Sequence, residues 1–391
     1  MNILFVSAVL PFPLHSGGQI RIYNILKRLS KRHRITLLSF IREEREVDLA
    51  KHLDFCQSVH MVMRGRAWQP KYVFGSVLGK YPLLLASYDS EAMRQAIRDT
   101  VIRDQIELIH LEPFYVWPAL PKTDLPVVVS EHNIEYDVYL EYARRFSLVG
   151  MKPFLLWDVG KLKKWERFIW RSADALTAVS HNDALAMEDY LSHHVTLVPN
   201  GVDLDSFPFR KPNKRKNLTL LFVGNFRWLP NRDAADTLID HIWPRIRRKY
   251  PQSSLLIAGR DITAGLRTRI LARGGQVLGN VESIAPVYQR ADVFVAPHTI
   301  SGGTKFKLLE AMASGVPIVT TKQGISGLFA EPGVEYLEAV TPEDFVEHIS
   351  SLWDNPVLAR SIAAKARKRI EQKYDWNQIA LIMEDVWKKT L

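Results

Sequence analysis

The sequence predicts an α/β protein built from two doubly wound, parallel-sheet domains. Three observations lead there. A strand, a glycine-bearing loop and a helix follow one another at the start of the chain, and the same order restarts near residue 218. The length of 391 residues also exceeds the roughly 250–300 at which one hydrophobic core stops growing.

Taken in order, Asn2 to Ser7 is a short apolar run closed by Pro11, Pro13 and Gly17-Gly18. Ile22, Ile25, Leu26 and Leu29 then recur at helical spacing. A second strand is expected at Ile35 to Phe40, with shorter ones at Leu108 to His110 and Val127 to Ser130. In the second half, Leu218 to Val223 is a strand ended by Gly224, Asn231 opens a helix, and Ser254 to Ala258 is a strand ended by Gly259. Val293 to Ala296 and Ile318 to Thr321 continue the alternation. Between the halves, Phe207 to Lys216 carries two prolines and a run of lysine and arginine, and reads as the interdomain linker. From Thr341, an N-cap followed by Pro342 at the first helical position, the tail reads as helices. The expected boundaries are 1–205, a linker at 206–217, 218–372, and a C-terminal helix at 373–391 able to pack back on the first domain. In open parallel sheets, ligands collect at the carboxyl ends of the strands. Two such sheets facing each other would form a cleft, with the informative residues just after strands.

Composition excludes several classes. With 47% hydrophobic and 24% charged residues the chain is neither disordered nor fibrous. Cys56 is the only cysteine, which excludes an internal disulfide framework and a clustered thiolate metal site. No run of about 20 apolar residues could span a bilayer, and Met1 to Val6 lacks the basic flank and cleavage site of a signal peptide. The expectation is a cytoplasmic protein, soluble or peripheral at the inner face of the cytoplasmic membrane. The net charge of +10 favours anionic partners: acidic headgroups or phosphorylated small molecules, and not nucleic acid, for which no module is recognisable.

The strongest local signal is Val293-Phe-Val-Ala-Pro297, then His298-Thr-Ile-Ser301, then Gly302-Gly-Thr304 opening a helix through Glu310. Gly302 and Gly303 allow close backbone approach, Thr304 fits an N-cap, and a helix start offers unpaired N–H groups to a phosphate. Gly303, Lys307, Glu310 and Ser314 share one stripe at 100° per residue, joining a cation for a diphosphate to a carboxylate for sugar hydroxyls. The plainer alternative is an exposed i,i+3 ion pair of Lys307 and Glu310. In the first half, Gly17-Gly18 precede Gln19-Ile-Arg21 at a helix start, either an anion-binding backbone or a plain turn. Arg21 either meets an acceptor phosphate or is solvated. Val127-Val-Val-Ser-Glu-His-Asn-Ile-Glu135 places His132 just past a strand, with Glu131 and Glu135 as alternates. Between Val149 and Ser172, tryptophans alternate with lysines and arginines: either a helix packed on the first domain with a charged outer face, which is preferred, or an interfacial membrane contact.

Residues 302 to 319, Gly-Gly-Thr-Lys-Phe-Lys-Leu-Leu-Glu-Ala-Met-Ala-Ser-Gly-Val-Pro-Ile-Val, resemble the donor-binding segment of retaining glycosyltransferases of family 4. The resemblance extends through Pro199-Asn-Gly-Val202, Ala173-Asp-Ala-Leu-Thr-Ala-Val-Ser180, Phe222-Val-Gly-Asn225 and the glycine loop near the N-terminus, nearly the whole chain. It implies the GT-B fold and transfer of a sugar from a nucleoside diphosphate sugar to a glycan or lipid-linked acceptor with retention, needing neither cofactor nor metal. It also implies catalytic roles for His132, Lys307 and Glu310, with Glu310 on the ribose. The diphosphate would lie on the backbone of Gly303 and Thr304 with Lys305 or Lys307, and Gly18 and Gly224 would face the donor. Gly17, Gly18 and Arg21 would lie on the acceptor side. Two departures stand out. Gly302 occupies the place of a frequent family glutamate, and Gly224-Asn-Phe-Arg-Trp-Leu-Pro-Asn231 lacks the usual arginine and lysine of that loop, leaving Arg227 as a substitute. The rivals are an epimerase or phosphorylase on the same architecture, a nicotinamide-dependent dehydrogenase, disfavoured by the absence of Gly-x-Gly-x-x-Gly after the first strand, and a non-enzymatic envelope-associated binding protein.

Overall fold

The computed structural model describes residues 1–65, 69–146, 148–213, 215–299 and 306–391. Its first sheet is wholly parallel and forms around β1 (Asn2–Ser7), where Ile3, Leu4, Phe5 and Val6 are fully buried. A parallel strand covered on both faces reads as a continuous apolar run, and this one does. The other strands are β2 (Arg34–Ile41), β3 (Ser58–Met63), β4 (Leu108–Glu112), β5 (Val127–Glu131), β6 (Ala175–Ala178) and β7 (Thr196–Leu197), in the order β3-β2-β1-β4-β5-β6-β7. The helix Gly17–Leu29 follows β1, its start capped by Ser16, whose side chain accepts the Gln19 N–H.

The second sheet, also parallel, runs β10-β9-β8-β11-β12-β13. Its strands are β8 (Thr219–Asn225), β9 (Ser254–Arg260), β10 (Gln276–Gly279), β11 (Val293–Ala296), β12 (Ile318–Thr320) and β13 (Leu337–Glu338). In both sheets the first strand is flanked on one side by its sequence neighbour and on the other by a later strand, β4 beside β1 and β11 beside β8. At such a reversal of strand order the loops leaving the two central strands part, and an open α/β sheet can receive a ligand there. Each sheet has its own apolar core.

The chain divides into two units, and its last helix goes with the first. One unit holds Met1–Asn200 with Ile379–Leu391, the other Gly201–Gln378. The stretch expected to be a linker is held on the second unit: the Arg210 N–H donates to the Ser314 carbonyl (3.0 Å), Gln289 Nε2 to the Pro208 carbonyl (2.7 Å) and Arg215 Nη2 to the Gln289 carbonyl (2.7 Å). Arg210 and Arg215 are used on carbonyls and on Asp292, so charge density did not mark a free connector. The expected tail helices are present at Pro342–Asp354, Pro356–Lys373 and Trp376–Thr390, and Thr341 caps the first with Pro342 in its first turn. Among the described residues no helix is long and apolar enough to cross a membrane.

Candidate active site

In the first unit, the loop after β1 and the end of β4 bring together residues far apart in the chain. A Cβ on Gly18 would lie 3.6 Å from Cε1 and 3.7 Å from Nδ1 of His132, so the backbone comes into van der Waals range of the imidazole. The other ring nitrogen, Nε2, is 2.8 Å from Oε1 of Glu112, the last residue of β4. Glu112 is fully buried and also meets Arg21 Nε at 2.6 Å and His110 Nε2 at 2.9 Å. Burial alone would raise its carboxyl, but the Arg21 guanidinium and the two histidine hydrogen bonds outweigh that and hold it well below the usual carboxylate range.

An ionised Glu112 only accepts, so His132 presents Nε2–H to it and turns Nδ1 toward the Gly18 side. His110 is fixed as well. Trp387 Nε1–H, which can only donate, meets His110 Nδ1 at 3.0 Å, leaving Nε2–H to point at Glu112 Oε2. Burial holds the His110 pKa down, which keeps that ring neutral. Glu112 is the residue sequence reasoning missed. A carboxylate ending an apolar strand, two residues after a histidine, is the signal that could have found it.

Arg21 corrects an expectation. It is 1% exposed, and beyond Glu112 it donates through Nη1 to the carbonyls of Val198 (2.8 Å) and Pro199 (3.1 Å). It therefore neither faces an acceptor phosphate nor lies in solvent; it ties the first helix to β4 and to the Pro199-Asn-Gly segment. Glu131 and Glu135, the alternates to His132, are enclosed. Trp170 Nε1 donates to Glu131 Oε1 (2.5 Å), and burial beside the Glu166 charge pushes the Glu131 carboxyl well above its ordinary value. Burial likewise raises Glu135 to about 6. Helix Lys152–Ser172 packs Val159, Leu162, Ile169 and Trp170 inward, while Leu156, Trp157 and Phe168 remain exposed.

In the second unit, Gly224 near the end of β8 and His298 after β11 flank the reversal of strand order. Lys307 Nζ donates to Asn231 Oδ1 (2.5 Å) and to His298 Nε2 (3.0 Å), and lies 5.3 Å from the Phe222 ring centroid. Asn231 is oriented for this by its amide, whose Nδ2 donates to the Asn225 carbonyl (2.7 Å). A Cβ at Gly224 would lie 3.2 Å from Asn231 Cγ, tight enough to press on the lysine's partner. Lys307 therefore does not form the exposed ion pair that spacing allowed. One turn on, Glu310 Oε2 accepts from the Tyr288 hydroxyl (2.9 Å). Enclosure of its carboxyl raises Glu310 to about 7, against the lowering effects of Tyr288 and Lys307. The Arg227 side chain is exposed and its backbone N–H donates to Asn225 Oδ1 (2.9 Å). Gly303, Thr304 and Lys305 lie outside the described residues. His298 and Asn231 were not foreseen as holders of Lys307, although His298 directly follows a strand.

Residues 15–206 match Glycosyltransferase Family 4, and residues 217–355 match Glycosyl transferases group 1. The chain belongs to this glycosyltransferase family. An uncharacterized 44.6 kDa protein in the cps region of Klebsiella pneumoniae is 23% identical over 97% of both chains. A phosphatidyl-myo-inositol mannosyltransferase of Mycobacterium tuberculosis is 30% identical over 47% of this chain, which spans about half of that enzyme (51%). Among solved structures, Anabaena Alr3699/HepE in complex with UDP-glucose superposes with a TM-score of 0.64 at 16% identity, covering 99% of this chain and all of that one. The two parallel, Rossmann-like sheets are thus those of a GT-B glycosyltransferase.

Proposed function

We propose that this glycosyltransferase moves a sugar from a nucleoside diphosphate sugar to a hydroxyl of a glycan or lipid-linked acceptor in cell-envelope polysaccharide or glycolipid synthesis, with retention at the anomeric carbon. The observation that carries the donor half is Lys307 braced by Asn231 and His298, one turn from the enclosed carboxyl of Glu310. A fixed cation lowers the cost of charge that develops on a departing diphosphate, and no reorganisation is needed at the moment of cleavage. In the proposed step the bond from the anomeric carbon to the diphosphate oxygen breaks while the acceptor oxygen bonds to the same face. The acceptor proton passes to the leaving phosphate oxygen. Lys307, with Lys305 and the backbone of Gly303 and Thr304, would balance the leaving charge without a metal or cofactor. Glu310 would take the ribose hydroxyls, and His132, oriented by Glu112, would hold a sugar or acceptor hydroxyl. The relative from the cps region and the lipid acceptor in the mannosyltransferase's name support the envelope setting and a peripheral membrane contact.

The deciding experiment is a thermal-shift panel of UDP, GDP, CDP, dTDP and ADP sugars, repeated with a chelator present. A donor at about 100 times its dissociation constant stabilises the fold by roughly 2.7 kcal/mol. One nucleotide is expected to give that shift with and without chelator. A flat response to all five would remove the donor site. NMR of the product formed with the responding donor should show the donor's anomeric configuration.

The same site sets a pH dependence. Ribose hydroxyls donate, so they favour the ionised Glu310, and donor binding pulls a carboxyl that titrates near 7 downward. Donor affinity is expected to strengthen as pH rises through 7 and to level off above it. Below 7 it should weaken by up to about tenfold per pH unit. Titration calorimetry across this range with Glu310→Gln as the flat control checks the assignment.

A further inference from the structure

A cavity of about 510 Å³ lies in the first unit beyond the ends of β2 and β3, against helix Pro70–Leu78, and shares no lining residue with the site around His132. Its wall is basic and aromatic: Arg64, Lys71 and Lys80 line it, with Tyr72, Tyr81 and Ser87. Each cation sits over a tyrosine ring. The Arg64 guanidinium is 4.4 Å from the Tyr88 centroid, Lys71 Nζ is 4.8 Å from that of Tyr72, and Lys80 Nζ is 4.7 Å from that of Tyr81.

Arg64 is the telling residue. It is 6% exposed, donates through Nη1 to Ser87 Oγ (2.8 Å), and keeps Nε buried with no hydrogen-bond partner. Among the described residues no carboxylate pairs with it. Asp89, the one acid among the described residues of the wall, is bound by Arg94 at 2.6 Å. A buried guanidinium without a counter-ion is expensive, and a π-face repays only part of that. The group that would balance it is an anion entering the cavity, and a guanidinium with two ammonium groups nearby suits the several oxygens of a phosphate.

The geometry points to a phosphate-binding site, separate from the donor site, that takes the phosphoryl group of an amphipathic molecule. The apolar share of that ligand is read from the same helix. Lys71, Tyr72 and Gly75 line the cavity, and Phe74, Val77 and Leu78 of the same helix are exposed apolar residues outside its lining, Leu78 being 85% exposed. Lys161 Nζ fastens the helix end by donating to the carbonyls of Ser76 (2.6 Å) and Gly79 (2.9 Å), so this face is held in place.

The test uses the full-length protein and two phosphate sources, inorganic phosphate in a thermal-shift titration and phosphatidylcholine vesicles with or without phosphatidylglycerol in a flotation assay. Binding is expected in the vesicle arm, and Arg64→Met, or the exposed pair Lys71→Glu and Lys80→Glu if Arg64→Met does not fold, should weaken it by about tenfold or more. A vesicle response confined to phosphatidylglycerol supports the proposal and identifies a lipid headgroup; a response to free phosphate with no vesicle binding overturns the amphipathic ligand in favour of a soluble phosphoester. Binding in neither arm, or binding that both variants retain, overturns it. The nucleotide-sugar thermal shift should be the same in the variants and the parent, which keeps this result separate from the fate of the donor reading.

Discussion

Replacing Glu310 with alanine is expected to lower kcat/KM for the donor by about two orders of magnitude. Two ribose hydroxyls bonded to a carboxylate contribute about 1.5 kcal/mol each at the low end for charged acceptors, or about 3 kcal/mol together. The ribose lies away from the bond that breaks, so the loss should fall on KM and spare kcat. Stability should move the opposite way. Burial holds the Glu310 carboxyl near 7, above its ordinary value. Its contribution to stability is therefore intact below the ordinary carboxylate range and is lost as pH rises through 7. Glu310→Gln should accordingly melt higher than the parent at pH 8, with the difference vanishing at pH 4 to 5. An enzyme that binds its donor worse while folding better would mark Glu310 as a binding residue kept at a cost to the fold. Equal donor KM in the variant and the parent would refute the ribose role.

The second large effect is expected at Glu112. Glu112→Gln leaves the buried Arg21 charge without a counter-ion, and breaking one side of a buried pair costs about 3–5 kcal/mol. The amide also has one acceptor oxygen where the carboxylate has two, so His132 and His110 can no longer both point Nε2–H at an acceptor there. Denaturant titration should show the stability loss, and the fraction that remains folded should have lost activity by about 100-fold, the scale of an angstrom-sized misplacement. The double variant Arg21→Met, Glu112→Leu separates the two effects. Removing both charges should recover part of the stability, because apolar replacements of a buried pair are often neutral, but none of the activity. Recovery of activity in the double variant would show that Glu112 acts through stability alone.

Much of this was legible in the chain. β1 shows as an apolar run because both its faces are covered, and the helix after it shows because Ser16, Gly17 and the spacing from Ile22 to Leu29 agree. Lys307 and Glu310 stood out as a stripe on one helix, a relation only three residues long. What was hidden is long-range. Glu112 meets Arg21 across 91 residues because β4 lies beside β1, and no local period encodes that neighbour. Arg21 itself illustrates the limit: a charged residue one turn into a helix reads as exposed until the buried carboxylate opposite it is known. The basic run from Arg210 reads as a solvated connector for the same reason, since the carbonyls and Asp292 that receive Arg210 and Arg215 belong to distant segments. Trp387 was not foreseen because its partner His110 lies 277 residues earlier.

That last contact bears on how the polypeptide is made. Residues Ile379–Leu391 belong to the unit that otherwise ends at Asn200, so the ribosome must synthesise the whole intervening unit before Trp387 can reach His110. Until then the nascent first half lacks the indole that donates to His110 Nδ1. Translation order therefore sets assembly order: the segment Gly201–Gln378 is synthesised in full before the first unit receives its last helix.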